Sequence, residues 1–405
     1  MNVQEPHSKK RWVIIGIIIA VLVLGAGGAY VAYATLGKKA DSKPISQTTP
    51  ESSKATEQPS STIVHVSAMG DMLAHDTINS NAKTASGYDY VPYFANIRPA
   101  YTDSDVVFCN QEGLSAGEAY GISGYPTFNA PTQFSVGLQT GAGCNLINLA
   151  NNHMGDKGVA ATNATIDNWT NLKPLAFSGA NKTAEAQNQI TMTTVKGVKI
   201  GFVSFSDFNN NKATPAYSVN IYHDTALVKR LITELRAQSD IVIVSMHWGT
   251  EDSSAINADQ KAQVTLLASL GVDVIIGTGP HVLQKVETVP RPDGGKLTVW
   301  YSIGNMLSSQ LNIEELVSGI AGFDIEKPIS GSATIKNLSF IPTYMHYEWT
   351  AEQKANNDLT SRRNVMLYLL KDATVPLSKS LFNTTIDTLK QYVVDKLAND
   401  QVTFK

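Results

Sequence analysis

Residues 62–75 read TIVHVSAMGDMLAH, and this stretch sets how the rest of the chain is read. Residues 63–68 form a short β-rich run that stops at Gly70-Asp71, with His75 four positions later. In open α/β sheets, sites form just beyond the carboxyl ends of strands. The same arrangement recurs along the chain. The run 105–109 leads to Asn110-Gln111-Glu112, and 146–149 leads to Asn151-Asn152-His153. Further on, 241–245 leads to His247-Trp248-Gly249, and 274–276 leads to Gly279-Pro280-His281. The runs 199–205 and 298–302 complete the set. One polar residue at a strand end is usually a cap or a turn former. Five strand ends carrying Asp, Glu, Asn or His point instead to one shared rim.

Helical patterns alternate with these runs at 159–172, 224–238 and 257–270. The last has Asn257 as its N-cap, Val264, Leu267 and Leu270 on one stripe, and Gly271 at C′. Several strands are apolar throughout, as strands covered on both faces are. The fold class is therefore α/β, built in layers. Carboxylate oxygens, an amide oxygen and imidazole nitrogens at the rim, with no thiolate, suit Zn, Mn or Fe. Such cations offset negative charge that grows on a phosphoryl or carbonyl centre, which is the composition of a two-metal hydrolase.

Seven ordered motifs carry a resemblance. They are Gly70-Asp71-Met72-Leu73-Ala74-His75, Asn110-Gln111-Glu112, Tyr125-Pro126-Thr127-Phe128-Asn129 and Asn148-Leu149-Ala150-Asn151-Asn152-His153, then His247-Trp248-Gly249, Pro280-His281-Val282-Leu283-Gln284 and Tyr301-Ser302-Ile303-Gly304-Asn305. Together they resemble the CapA proteins, a family linked to poly-γ-glutamate and capsule biosynthesis. The resemblance implies a fold similar to the calcineurin-like metallophosphatases, a layered α/β/β/α sandwich over residues 62–310. Residues 311–405 would then be an extension that completes the second sheet, with strands at 320–325 and 333–341 and helices at 361–370 and 381–397.

The resemblance also implies roles. Asp71 would ligate the first of two divalent ions (Mn, Fe or Zn), and Glu112 would bridge both. Asn152 and His247 would hold the second, and His281 would complete the cage. His75 would reach the site from a position one helical turn after Asp71. His153 would be the general acid. The family commonly reads His-Pro-His where this chain has Gly279-Pro280-His281, so Gly279 removes an imidazole and weakens one metal site. The implied function is a phosphatase-like hydrolase of capsule or cell-surface polymer biosynthesis. Its implied partners are an anionic polymer or its precursor and other membrane polymer-synthesis subunits. A non-catalytic polymer-binding or export component on the same fold is the alternative.

The start of the chain places this domain. Residues 12–34 (WVIIGIIIAVLVLGAGGAYVAYA) carry no charge, and a helix of that length spans about 34 Å, enough for a bilayer core. Lys9, Lys10 and Arg11 precede it, so residues 1–11 are read as cytoplasmic and 12–34 as an uncleaved single-pass anchor in the cell membrane. A cleaved signal peptide ending at Ala32-Tyr33-Ala34 is the competing reading. Residues 35–61, rich in Ser, Thr and Pro, read as a disordered linker, which leaves the C-terminal domain extracytoplasmic.

Composition sets the outer bounds. The 405 residues are 43% hydrophobic and 17% charged, too apolar for a disordered chain. A net charge of -3 gives no basic field for nucleic acid, and two cysteines cannot build a disulfide scaffold. Cys109 and Cys144 are expected at opposite ends of neighbouring parallel strands, and hence as two buried free thiols. Gly113-Leu114-Ser115-Ala116-Gly117 fits G-x-S-x-G but lacks the strand–turn–helix setting that a nucleophile needs. His65 is expected in the core, and His223 and His346 at surface or structural positions. The polar run 206–211 is placed either to line the cleft or to form a surface loop.

Overall fold

The structure, a computed structural model, describes residues 61–405. The expected anchor at 12–34 and all but the last residue of the expected linker lie outside the described residues. No described helix is long and apolar enough to cross a membrane.

β1 (Ser61–Leu73) starts the domain and runs well past the six-residue stretch expected, so Asp71 sits inside the strand. Gly70 makes this possible. A Cβ there would stand 1.8 Å from the Gly304 carbonyl oxygen, the same atom that accepts the Asp71 N–H at 3.0 Å. Only glycine lets two backbones approach that closely. After α1 (Asp76–Ala82), the parallel strands β2 (Val106–Glu112) and β3 (Leu146–Asn148) add to β1 in turn. Following α2 (Val159–Leu172), β4 (Ala176–Ser178) continues the series.

The chain then builds a second sheet. It contains β5 (Thr191–Val195), β6 (Val198–Ser206), β7 (Ile241–His247), β8 (Val274–Thr278), β9 (Val286–Pro290) and β10 (Lys296–Trp300). Their order is β9-β10-β8-β7-β6-β5. Between them, α3 (Thr225–Gln238) is capped by Asp224, and α4 (Ala258–Ser269) by an Asn257/Gln260 capping box.

Five more strands return to the first sheet. β11 (Asn305–Leu307) lies parallel to β1, and β12 (Val317–Pro328) pairs antiparallel with β1 along most of its length. β13 (Thr334–Glu348) and β14 (Arg363–Leu369) follow, giving the order β14-β13-β12-β1-β2-β3-β4, with β15 (Thr403–Phe404) beside β13. The C-terminal segment therefore completes the first sheet, the one that carries Asp71, and not the second. Residues 361–370 are not the helix expected either. Val365, Leu367 and Leu369 are buried while Met366 and Tyr368 are half-buried, a two-residue period that suits a strand on β13 despite helix-favouring residues. The last helix, α5 (Ile386–Leu397), begins five residues later than expected.

Side chains assign the layers. Ile241 and Ile243 of β7 join the core between the sheets, while Val242 and Val244 face α3 and α4 with Leu231, Leu235 and Leu267. Phe108 of β2 meets Phe202 of β6 edge to face across the inter-sheet core, ring centroids 6.1 Å apart. On the outer side of the first sheet, α2 turns Trp169 inward, and its Nε1 donates to Gln111 Oε1 at 2.9 Å. The result is helices, sheet, sheet, helices, as expected.

The cysteine expectation fails. Cys109 and Cys144 form a disulfide with Cα atoms 5.8 Å apart. Cys109 lies in the middle of β2, which runs on to Glu112, and Cys144 precedes β3 in the turn after Gly143. Neither is at the strand end that the sequence reading assumed. His65 also departs from expectation: it is half-exposed, with Nδ1 2.7 Å from Asp324 Oδ1. His223 is an exposed partner of Asp207, and His346 is buried.

Candidate metal centre

Both sheets end at one rim. β1 delivers Asp71, β2 delivers Glu112, the turn after β3 delivers Asn152 and His153, β7 delivers His247, and the turn after β8 delivers His281. Asp71, Glu112 and His247 each bring one ligand-type atom within 4.8 Å of the others. All of these side chains are buried.

Glu112 divides the site in two. Its Oε1 lies 3.6 Å from His247 Nε2, which in turn is 3.1 Å from Asn152 Oδ1. Its Oε2 lies 3.9 Å from His281 Nδ1, which is 3.2 Å from Asp71 Oδ2. Each oxygen therefore faces its own group of donors. Neither oxygen has a hydrogen-bond partner, although both are buried. A buried carboxylate without a partner is costly, and burial accordingly holds Glu112 well above the ordinary carboxylate value. Hard oxygen and imidazole donors around such a carboxylate fit divalent Mn, Fe or Zn.

The surrounding groups orient the donors. Asn110 Nδ2 donates to Asp71 Oδ1 at 2.6 Å, and Gly279 N–H donates to Asp71 Oδ2 at 3.0 Å. Burial alone would raise Asp71; the bond and charge of His281, the His247 charge and the Gly279 N–H outweigh it and lower the carboxyl. His247 Nδ1 meets Thr278 Oγ1 at 3.0 Å, and His281 Nδ1 meets Asn305 Oδ1 at 3.0 Å. Burial lowers His247 to about 4. For His281 burial is overcome by Glu112 and Asp71, which raise it to about 10.

Two expected positions behave differently. His75 caps the start of α1, its ring edge-on to Phe128 at 5.0 Å, and its Nδ1 accepts the Ser309 N–H at 3.4 Å. It is not in the group formed by Asp71, Glu112 and His247. Burial and the neighbouring His281 and Arg362 charges lower it to about 3. Gly279 proves to be more than a missing imidazole. Its φ is +106°, and a Cβ there would stand 2.8 Å from the Trp248 carbonyl oxygen, so this backbone excludes a side chain.

Sequence reading passed over Asp156. Its Oδ2 lies 2.8 Å from His153 Nδ1 and accepts the Phe128 N–H at 2.6 Å. Its place three residues after His153, across one turn, was the available signal. Asn110 and Asn305 stood within the quoted motifs without being assigned a role. Ser115 is fully buried, bonded to Gln111 Nε2 and Ser135 Oγ, so G-x-S-x-G is structural here.

A cleft of about 460 Å³ opens beside Asn152 and His153, with Tyr125 and Phe208 in its lining. Phe208, Asn210 and Asn211 come from the 206–211 run, which therefore lines the cleft.

Residues 65–310 match the family model described as "Bacterial capsule synthesis protein PGA_cap". The chain belongs to this family. Two curated relatives fit that membership. The chain is 24% identical over 286 residues to the PGA biosynthesis protein CapA of Bacillus subtilis, covering 69% of this chain and 71% of that protein. It is 28% identical over 234 residues to the capsule biosynthesis protein CapA of Bacillus anthracis, covering 55% of each. The chain thus spans about half the length of the second relative. Among solved structures it is similar to the NAD nucleotidase of Haemophilus influenzae, with TM-score 0.43 and 12% identity, over 85% of this chain and 57% of that one. It is also similar to a 5'-nucleotidase from Candida albicans, with TM-score 0.38 and 9% identity, over 83% of this chain and 59% of that one.

Proposed function

We propose that this PGA_cap-family chain is a membrane-anchored, extracytoplasmic, metal-dependent hydrolase of the phosphoesterase type, acting in capsule or other cell-surface polymer assembly. The observation that carries the reading is Glu112, whose two buried, unpartnered oxygens face separate donor groups. In this reading Asp71 and His281 would hold one divalent ion, Asn152 and His247 would hold a second, and Glu112 would serve both. His75 stands beside the cage and orients the Ser309 backbone. The ions, when bound, supply Lewis acidity to a phosphoryl or carbonyl centre.

The chain's own residues supply the rest. Asn110, Thr278, Asn305 and the Gly279 N–H hold the ligand side chains in place. His153 delivers the proton to the leaving group, with Asp156 fixing its ring. The substrate is an anionic surface polymer or its precursor, and the N-terminal anchor brings the protein to membrane subunits of polymer synthesis.

The test is elemental analysis of the purified full-length protein, paired with hydrolysis of a model phosphoester. Bound Mn, Fe or Zn and turnover, both lost in Glu112→Ala, support the reading. Unchanged turnover in Glu112→Ala sinks it. A metal-free protein that still binds polymer supports the non-catalytic alternative on the same fold.

A further inference from the structure

The cleft beside Asn152 and His153 holds two rings out to solvent. Tyr125 is 77% exposed and Phe208 is 42% exposed, and both line it. Neither sits on a loose loop. The Tyr125 turn is held by Gly124 N–H on Asp76 Oδ1 at 2.7 Å and by the paired Ser123 and Asn129 backbones. The Phe208 loop is docked by Asn210 N–H on the Asn152 carbonyl at 2.8 Å and by Asn211 Nδ2 on the Gly155 carbonyl at 2.9 Å. An aromatic ring kept in water by an ordered backbone gains its burial only when something docks on it.

The polar lining narrows the occupant. No lysine or arginine lines the cleft among the described residues, so it offers no side-chain cation to an acidic group. Lys212 Nζ stands 5.4 Å over the Phe208 ring, outside that lining. Asp156 is turned inward onto His153 and the Phe128 N–H. Glu251 is exposed, and its carboxylate has no hydrogen bond or ion pair among the described residues. Its turn is fixed by the Asp252 N–H on the Pro280 carbonyl at 2.9 Å. Among the described residues Asn210 Oδ1 is a second free acceptor and Asn152 Nδ2 a free donor. Free acceptors and a free donor beside exposed rings match hydroxyl groups, which both donate and accept, on a ring with apolar C–H faces. A cation would leave the Asn152 donor unused, and an anion would meet Glu251. The volume of about 460 Å³ is that of a small-molecule site.

We propose that this cleft seats a sugar as the leaving group of the phosphoester, its C–H faces on Tyr125 and Phe208 and its hydroxyls on Glu251, Asn152 and Asn210. The proposal rests on the hydrolase reading above and names the class of ester that is cleaved. His153, the proton donor of that reading, lines the same cleft, which puts the cleft on the leaving-group side. In the hydrolysis the bond between phosphorus and the sugar oxygen breaks, and the oxygen of water takes its place. The sugar oxygen departs as a hydroxyl with the proton of His153, and one proton of that water replaces it. Tyr125 and Phe208 set specificity and touch no reacting atom.

The test uses the full-length protein in detergent micelles and compares kcat/KM for the 6-phosphates of glucose, galactose and N-acetylglucosamine with that for n-propyl phosphate. The best hexose ester should be preferred by about 10-fold or more. Tyr125→Ala/Phe208→Ala should abolish that preference with bound metal unchanged. Tyr125→Phe/Phe208→Tyr should keep it, which separates lost stacking from lost folding. Glu251→Ala should raise KM for the hexose ester more than for the propyl ester. No preference for any hexose ester, or a preference that survives the aromatic double variant, overturns the proposal and leaves the hydrolase reading standing. Phosphocholine or AMP preferred over every hexose ester also overturns it, in favour of a cationic or nucleoside occupant. If no ester is turned over, the hydrolase reading falls. Calorimetric binding of a hexose phosphate that the aromatic double variant loses then still supports the sugar subsite, and absence of binding overturns both.

Discussion

Asp156 Oδ2 stands 2.8 Å from His153 Nδ1 and fixes which nitrogen of that ring carries the proton toward the protein. His153 Nε2 is left as the nitrogen that can serve a leaving group. An amide at 156 would keep the Phe128 N–H bond but lose the charge that sets the ring's proton. Asp156→Asn is expected to lower phosphoester turnover by about 10²-fold or more with metal content unchanged. Steady-state kinetics beside elemental analysis separates that outcome from simple loss of the centre.

Glu112 makes the centre respond to metal in a way that stability can read. An ion at 100 times its dissociation constant adds about 2.7 kcal/mol to the folded state. For a domain of this size that is a rise in Tm of about 4 °C. Differential scanning fluorimetry with and without Mn, Fe or Zn should find this rise in the wild type and none in Glu112→Gln.

Gly279 offers a sharp reversal of the simplest engineering idea. Adding an imidazole by Gly279→His places a Cβ against the Trp248 carbonyl at a φ of +106°. The expected result is a loss of roughly 1–3 kcal/mol in urea unfolding and no gain in bound metal. Gly279→Ala should lose a similar amount, which ties the effect to backbone and not to the ring.

The Cys109–Cys144 bridge closes a loop of 35 residues in sequence separation. Chain entropy assigns such a loop about 4 kcal/mol. Cys109→Ala/Cys144→Ala should approach that loss in chemical denaturation, and reduction of the wild type should match it.

Glu315 gives the domain a pH dependence. Burial raises its carboxyl to about 7, with Asp252 adding to the rise against an opposing Asn312 N–H bond. The fold thus favours the protonated form. That contribution is full below about 4.5 and is lost as pH rises through 7. Glu315→Gln cannot ionise, so it should exceed the wild type by up to about 3 kcal/mol at pH 8.5 and by nothing at pH 4. Thermal melts at the two pH values check the sign.

The residues of the candidate centre could be read from the sequence because each lies within a few positions of a strand that its own neighbours specify. Gly70-Asp71, Asn152-His153 and His247 need no distant information to be noticed. What failed depends on distant partners. β12 joins β1 through pairs such as His65 and Asp324, 259 residues apart, and nothing local records that pairing. Residues 363–369 look helical by composition and become a strand because β13 offers an edge. The disulfide was missed because β2 runs on to Glu112, which leaves Cys109 in mid-strand and not at its carboxyl end. His75 kept a metal role on spacing alone, and the structure sets it beside Phe128 and Ser309.

β1 also works as a lever arm. The described chain starts at Ser61, and Asp71 lies ten residues further along the same strand, about 33 Å away at the rise of extended chain. A load applied to the chain before Ser61 is therefore borne first by the ladder with β12, at the pole remote from Glu112. A long, trailing molecule can therefore reach the cleft without crossing the Ser61 end of the domain.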